Sequence, residues 1–181
     1  PARLVSSAAA CVASPSIQAA SNSWNAGSET WDTVTGNWPS PSTWTNGEDA
    51  VFNNTASGTT ITLSSGLTAG SVMIGNGGKN ANYTFAGNGL SAASFTVQGD
   101  GGNHLGINPA ATINNATLNL TGDLGVGRAF LNITGNSTIT ADRIGGGGMT
   151  GISSADWGQI TIQDTANITA TNGIVGGTTA W

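Results

Sequence analysis

Charged side chains are scarce in this sequence. They make up 7% of its 181 residues, and nine acidic against four basic side chains give a formal net charge of −5. Nucleic-acid binding depends on clustered lysine and arginine, whereas Arg3, Lys79, Arg128 and Arg143 stand singly. We therefore expect no nucleic-acid partner. No run of 18 apolar residues occurs, so the sequence also predicts no transmembrane helix.

Cysteine and histidine are nearly absent. Cys11 is the only cysteine, which excludes an intrachain disulfide, and we interpret it as a small buried hydrophobe rather than a reactive thiol. His104 is the only histidine, so a histidine-based catalytic set has a single candidate, which we interpret as a loop residue. The calcium-binding pattern Gly-Gly-x-Gly-x-Asp is missing, because residues 99–102 (GDGG) place the aspartate too early. We expect no cofactor and no dedicated metal site.

Glycine is abundant, with 28 residues, and a short motif recurs between residues 111 and 177. Its three copies are TLNLTGDLG (117–125), TITADRIG (138–145) and NITATNGIVG (167–176), and LNITGN (131–136) and ITIQD (160–164) precede the later two. Leu118 and Ile139 are 21 residues apart, whereas Ile139 and Ile168 are 29 apart. The eight extra residues indicate an insertion, most simply within 147–157. A period of about 21 residues with apolar/polar alternation is typical of a solenoid.

The repeat predicts an all-β parallel β-helix, in which each coil of two or three short strands lies on the one before. A single coil cannot bury its apolar face, but stacked coils form a continuous core. Glycine and asparagine would supply the corners with positive φ. Alternation predicts these inward side chains: Leu118, Leu120, Ile133, Ile139, Ile160, Ile162 and Ile168.

Upstream of the repeat, four further strands are predicted, at 59–63, 67–74, 82–85 and 93–98. About 130 residues from Val51 onwards, at 21 per coil, make about six coils and a rod roughly 30 Å long at about 4.8 Å per coil. We divide the chain into an apolar extension or signal-peptide remnant (1–23), a tryptophan-rich cap (24–50) and a β-helix (51–181).

The cap is predicted from four tryptophans at spacings of 7, 7 and 6 residues, namely Trp24, Trp31, Trp38 and Trp44, separated by turn-forming residues. Large rings on short segments can cover the apolar end of a solenoid core, and tryptophan is usually mostly buried. The alternative is a carbohydrate site, in which exposed ring faces stack on sugars. We favour the cap and keep a surface glycan as a candidate partner.

The same block resembles the opening of autotransporter-associated β-strand repeat proteins. The resemblance rests on WDT (31–33), GNW (36–38), Trp44 and GEDAVF (47–52), continues through TITL (60–63) and GLTAGSV (66–72), and is looser in the later coils. It implies a right-handed β-helix in a secreted or cell-surface protein of a Gram-negative bacterium. It implies no catalytic site, because the shared motif is structural. Members of the family are usually much longer.

The two ends of the chain are the candidate assembly sites. Residues 168–181 still follow the repeat, and no charge, helix or proline blunts that β-edge, so we expect it to pair with further chain or another subunit. The segment 4–17 is apolar; it is either the tail of a secretory signal, cleaved after Ala19 or Ala20, or a retained extension. A retained extension could add as a strand to a neighbour. The candidate assembly residues are Leu4, Val5, Val12, Ile17, Ile174, Val175 and Trp181.

Two acidic residues and the outward threonines are relevant to two other functions, catalysis and ice binding. Asp123 and Asp142 occupy neighbouring positions in successive repeats, but Arg143 could neutralise the second, and turn residues are the simpler interpretation. Rows of outward threonines could order water, yet their spacing in the sequence is irregular. We predict a non-enzymatic extracellular structural or adhesive protein that self-associates through its ends. The alternative is a carbohydrate-binding or polysaccharide-active β-helix domain.

Overall fold

The computed structural model describes residues 20–39, 43–53, 59–75, 81–99, 109–146 and 158–175, and all regular structure within them is β. Among the described residues no helix is long and apolar enough to cross a membrane. The sixteen strands are β1 (Ser21–Ser23), β2 (Glu29–Trp31), β3 (Asp49–Phe52), β4 (Thr59–Leu63), β5 (Leu67–Ile74), β6 (Asn82–Gly87), β7 (Gly89–Gln98), β8 (Ala110–Asn114), β9 (Thr117–Leu120), β10 (Leu124–Gly127), β11 (Phe130–Thr134), β12 (Thr138–Ala141), β13 (Ile144–Gly145), β14 (Gln159–Ile162), β15 (Asn167–Ala170) and β16 (Ile174–Val175).

These strands form a six-stranded and a ten-stranded sheet, and every strand pair is parallel. The first ladder is the six-stranded sheet, in the order β2-β4-β6-β8-β11-β14. The ten-stranded sheet contains two ladders, because the long strands β5 and β7 pair along both halves. The second ladder runs through the first halves of β5 and β7, then β9, β12 and β15. The third runs through β1, β3, the second halves of β5 and β7, β10, β13 and β16.

From β4 onwards the chain visits the three ladders in a constant order. Strands β8, β9 and β10 lie in the first, second and third ladders, and β11 to β13 and then β14 to β16 follow in the same sequence. Leu118 pairs with Ile139, which pairs with Ile168, so the observed register matches the sequence repeat. In all three ladders, paired residues are 20 or 21 positions apart in the sequence between the β8–β10 set and the β11–β13 set. They are 29 or 30 positions apart between the β11–β13 set and the β14–β16 set. The predicted insertion at 147–157 lies outside the described residues.

Alternation places the apolar side chains between the ladders, as predicted for most of them. Leu118, Ile133 and Ile139 are fully buried and Leu120 is 6% exposed, whereas Ile160 and Ile168 are half-buried. Ile162 pairs in register with the fully buried Ile133, so it points the same way as predicted, but its side chain is 54% exposed. Its strand β14 pairs only with β11 in the described part of the chain, so no described strand lies over its free side.

The turn from the first to the second ladder has one residue with positive φ in each of five successive passages. These residues are Gly66, Gly87, Asn115, Gly135 and Asp164, with φ of 73°, 100°, 51°, 64° and 61°. Side chains with a Cβ avoid this region, although Asn and Asp tolerate it best. The corners are also linked, because the Asn136 amide N–H donates to Asn115 Oδ1 at 3.0 Å and the Gly135 N–H donates to Asp164 Oδ2 at 2.9 Å. Glycine and asparagine were expected at such corners.

Strands β1 and β2 extend both sheets into the segments assigned above to the extension and the cap. Asn22 of β1 pairs with Ala50 of β3, and Thr30 of β2 pairs with Thr62 of β4. The sequence predicted no strand here. Of the four upstream strands, β4 and β5 have their predicted bounds, whereas β6 and β7 are longer than predicted.

Candidate functional site

The four tryptophans of the predicted cap form one buried cluster. Trp31 is fully buried, and Trp24, Trp38 and Trp44 are each 2% exposed. Trp31 ends β2 and its ring centroid lies 5.0 Å from that of Trp44, which in turn lies 4.7 Å from that of Trp38. Edge-to-face and tilted ring pairs at these distances are favourable beyond the area they bury. The cluster therefore holds loop segments as well as strands in place.

Phe52 of β3 joins this cluster to the rest of the core. Its ring centroid is 5.4 Å from that of Trp31, 5.2 Å from that of Tyr83 and 5.1 Å from that of Phe85. Phe52 is the last residue of the motif GEDAVF (47–52), and the sequence did not predict this contact. Since the tryptophan rings pack on one another and on Phe52, their faces are not open to a sugar. The stacking required by the carbohydrate interpretation is not available at these four side chains.

The indole N–H groups of the cluster divide into two kinds. Trp24 Nε1 donates to the Gly27 carbonyl at 3.3 Å, and Trp44 Nε1 donates to the Thr68 carbonyl at 3.2 Å. Trp31 and Trp38 have buried Nε1 atoms without a hydrogen-bond partner in the described structure. A buried donor without a partner costs free energy, so hydrophobic packing has to offset that cost at this end.

An aspartate turn fixes the loop that follows β2. Asp32 Oδ1 accepts from the backbone N–H groups of Val34 at 2.8 Å and Thr35 at 2.6 Å, and Asp32 Oδ2 accepts from the Thr35 hydroxyl at 2.8 Å. Burial alone would raise the pKa of Asp32, but the hydrogen bonds from Thr35 and Val34 outweigh it and leave the pKa below its ordinary value. The ionised carboxylate is therefore the form that holds the turn.

Asp123 and Asp142 do line one groove, of about 330 Å³, at the bend between the second and third ladders. Arg143 Nε and one of its terminal nitrogens donate to the two oxygens of Asp123 at 2.9 and 2.6 Å. Asp123, through that hydrogen bond and its charge, raises the pKa of Arg143 above its ordinary value. The sequence suggested Asp142 as the partner of Arg143, but Asp142 instead accepts a hydrogen bond from Asn172.

The last described strands form an edge that is apolar and open. In the described part of the chain β14, β15 and β16 each pair on one side only, with β11, β12 and β13. Ile174 is 81% exposed and Ile162 is 54% exposed, whereas Val175 is half-buried. Beside them lies a groove of about 250 Å³, lined by Ile144, Ile160, Ile162, Ile168, Ala170 and Ile174. We call this surface the isoleucine edge.

The other residues singled out from the sequence lie outside the part of the chain that the structure describes. Leu4, Val5, Val12, Ile17 and Trp181 lie outside the described residues, as do Cys11 and His104. In the part of the chain that the structure does describe, no three His, Cys, Asp or Glu side chains come together in a way that could hold a metal ion. Of the predicted assembly residues, Ile174 and Val175 therefore have a described position, and both lie at the isoleucine edge.

No protein-family model, curated protein or solved structure matches this chain. The similarity to autotransporter-associated β-strand repeat proteins therefore stays a prediction that rests on the motifs quoted from residues 31–72.

Proposed function

We propose that this chain is a structural module of an extracellular bacterial rod, which lengthens by adding a β-strand of a second copy at the isoleucine edge. The observation that carries the proposal is the exposed apolar end of the sheets at β14 to β16. The module itself would be a right-handed parallel β-helix of about six coils, whose first coil is covered by the tryptophan cluster.

The constant order of the three ladders supports coils of three strands. The six, five and seven strands of the first, second and third ladders fit about six coils. The right hand follows from the strong preference of parallel strands for right-handed crossover connections, which holds in about 98% of cases. A solenoid of this kind exposes a strand edge at each end that is not covered.

The chemistry of the isoleucine edge suits strand addition. Free N–H and C=O groups along an unpaired strand edge can bond to an arriving strand, and alternate pockets can receive its apolar side chains. Exposed edges are normally blunted by charge or proline, whereas β14 to β16 contain neither. The groove beside Ile162 and Ile174 offers an apolar receptor of about 250 Å³.

The occupant we propose is the segment 4–17 of a neighbouring copy, through Leu4, Val5, Val12 and Ile17. It is apolar, carries no charge and has no repeat of its own. A contact between the start of one chain and the far edge of another is heterologous, so it does not close on itself and produces a filament. Location at the cell surface and an adhesive role complete the proposal, and they rest on the family resemblance and the nearly uncharged, Thr- and Asn-rich composition.

The test is the association state of the folded chain and two matched variants. Ile174→Asp places a charge on the isoleucine edge, and Val34→Asp places the same charge on a side chain of similar exposure, 78%, far from it. We expect sedimentation velocity and electron microscopy to show concentration-dependent filaments for the wild type and Val34→Asp but not for Ile174→Asp. A wild type that stays monomeric at all concentrations would contradict the proposal.

Deletion of residues 1–19 removes the proposed donor segment and leaves the isoleucine edge unchanged. We expect the shortened chain to remain folded and monomeric, and a peptide of residues 4–17 to bind to it. If the shortened chain still forms filaments, the edge receives another segment and strand donation by residues 4–17 is wrong.

A further inference from the structure

The outward side of the second ladder carries an ordered array of small polar side chains. Parallel pairing aligns a central column from β5 to β15, which consists of Thr68, Ser91, Asn119, Thr140 and Thr169. A neighbouring column from β7 to β15 consists of Gly89, Thr117, Thr138 and Asn167. We call these two columns the hydroxyl face. The sequence spacing of its threonines is irregular, but the offsets between paired strands absorb that irregularity.

The hydroxyl face is exposed and uncharged. All five side chains of the central column are exposed, and so are Thr138 and Asn167 in the neighbouring one. Neither column includes an acidic, basic or aromatic residue. Its threonine hydroxyls both donate and accept hydrogen bonds, and each lies beside a methyl group.

The spacing within the face is periodic in two directions. Neighbouring parallel strands lie about 4.8 Å apart, and alternate residues along one strand lie about 6.6 Å apart. Threonine is β-branched and stiff at χ1, so its hydroxyl and methyl groups keep their places in the array. A rigid array loses little conformational entropy when it meets a rigid partner.

The approach to the hydroxyl face is bounded by short connections on both sides. The turns that enter it from the first ladder are residues 64–66, 88, 115–116, 135–137 and 163–166, and those that leave it are 121–123, 142–143 and 171–173. Of the longer connections, 53–58, 75–81, 99–109 and 146–158 run from the third ladder to the first. The connection 32–48 runs instead from β2 to β3 and meets the hydroxyl face at its first strand, where the Gly47 N–H donates to the Thr68 carbonyl.

We propose that the hydroxyl face binds the surface of ice. The two columns form a periodic and uncharged array in which five of the nine positions are threonine. Such an array matches a partner that is itself a periodic lattice of hydrogen-bond donors and acceptors. A mineral surface would call for charged side chains, and a neutral polysaccharide for aromatic faces, and the columns have neither. The proposal depends on the register of the second ladder and not on end-to-end assembly.

The first ladder provides the internal comparison. Its outward columns also contain threonine, as in the set Thr60, Thr84, Thr112, Asn132 and Thr161. These side chains are half-buried. Threonine in this column is therefore less accessible than in the hydroxyl face. The exposed Thr62, which lies outside this column, is the matched control.

The experiment measures inhibition of ice recrystallisation and thermal hysteresis by the folded chain. Thr140→Lys places a long charged side chain in the central column, and Thr62→Lys places one at an exposed outward position of the first ladder. We expect wild-type activity in Thr62→Lys and at least a tenfold higher inhibitory concentration for Thr140→Lys, which corresponds to about 1.4 kcal/mol. Melting temperatures of both variants should equal that of the wild type.

A gain of function sharpens the test. Ser91→Thr combined with Asn119→Thr makes the central column continuous in threonine, and we expect it to lower the inhibitory concentration. A folded wild type without effect on ice would overturn the proposal. An equal loss of ice activity in Thr140→Lys and Thr62→Lys would also overturn it. So would a wild type that has no ice activity but co-sediments with crystalline chitin or cellulose, if Thr140→Lys abolishes that co-sedimentation.

Discussion

The two ends of the stacked strands differ in what lies over their apolar interior. At the β1–β2 end, four tryptophans pack on one another and on Phe52, and each is at most 2% exposed. At the β14–β16 end, Ile162 and Ile174 are 54% and 81% exposed beside an apolar groove. The strands use the same alternation at both ends, so the difference lies in what covers them. A repeat can specify a core, but a separate segment has to close it.

The largest difference in stability is expected when the same substitution, isoleucine to aspartate, is made at a fully buried and at a half-buried position. Ile139 is fully buried between β9 and β15, and Ile168, its partner in the next strand, is half-buried at the open edge. A carboxylate buried without a partner costs several kcal/mol, which is a large share of a total stability of about 5–15 kcal/mol. We expect Ile139→Asp to unfold the chain and Ile168→Asp to fray the edge alone.

Thr140→Asp is the control for direction, since Thr140 points outward from the same strand as Ile139. We expect its melting temperature, measured by circular dichroism, to be close to that of the wild type. Equal melting temperatures for Ile139→Asp and Thr140→Asp would show that the inward and outward assignment is wrong.

The closed end should respond next most strongly, to removal of one ring. Trp31→Ala removes a fully buried ring that contacts Trp38, Trp44 and Phe52, and we expect a loss of about 3–5 kcal/mol in the free energy of unfolding. Trp31→Phe should lose less, because it keeps a ring and removes a buried N–H that has no partner among the described residues. Urea denaturation measures both.

Val34→Ala is the matched surface change at this end, because the Val34 side chain is 78% exposed. Its effect should stay within about 0.5 kcal/mol. A loss in Trp31→Ala no larger than in Val34→Ala would mean that the tryptophan cluster does not stabilise the end that it covers.

The smallest expected effect is a pH dependence of the closed end. The hydrogen bonds to Asp32 hold its pKa below the ordinary value, so the stability they add is present above the unfolded pKa of about 3.9 and is lost as pH falls through the folded pKa. Asp32→Asn cannot titrate. We expect the wild type to exceed Asp32→Asn in melting temperature at neutral pH, by a margin that shrinks near pH 3. A margin independent of pH would contradict this sign.

Sequence periodicity predicted the parallel sheets better than it predicted their ends. β4 and β5 are bounded by turn-forming residues and alternate regularly, which is why their limits were predictable. The pairing of Ile139 with Ile168 followed from matching motifs despite the longer interval between them. Such signals are local or repeated, so one sequence contains them.

The features that the sequence did not predict depend on distant parts of the chain. β1 has the sequence Ser-Asn-Ser, which does not favour a strand, and it is held by pairing with β3. Alternation told which way Ile162 points but not whether anything lies over it. Arg143 follows Asp142 in the chain, yet it pairs with Asp123 on the neighbouring strand connection.

Amide hydrogen exchange as a function of protein concentration tests the proposed assembly most directly. If the isoleucine edge receives a strand from a second copy, the amides of β14, β15 and β16 will gain protection as concentration rises. Those of β1 to β3 at the closed end will not change, and Ile174→Asp will remove the gain. Protection at β14 to β16 that is the same at every concentration would contradict the account, as would an equal gain at both ends.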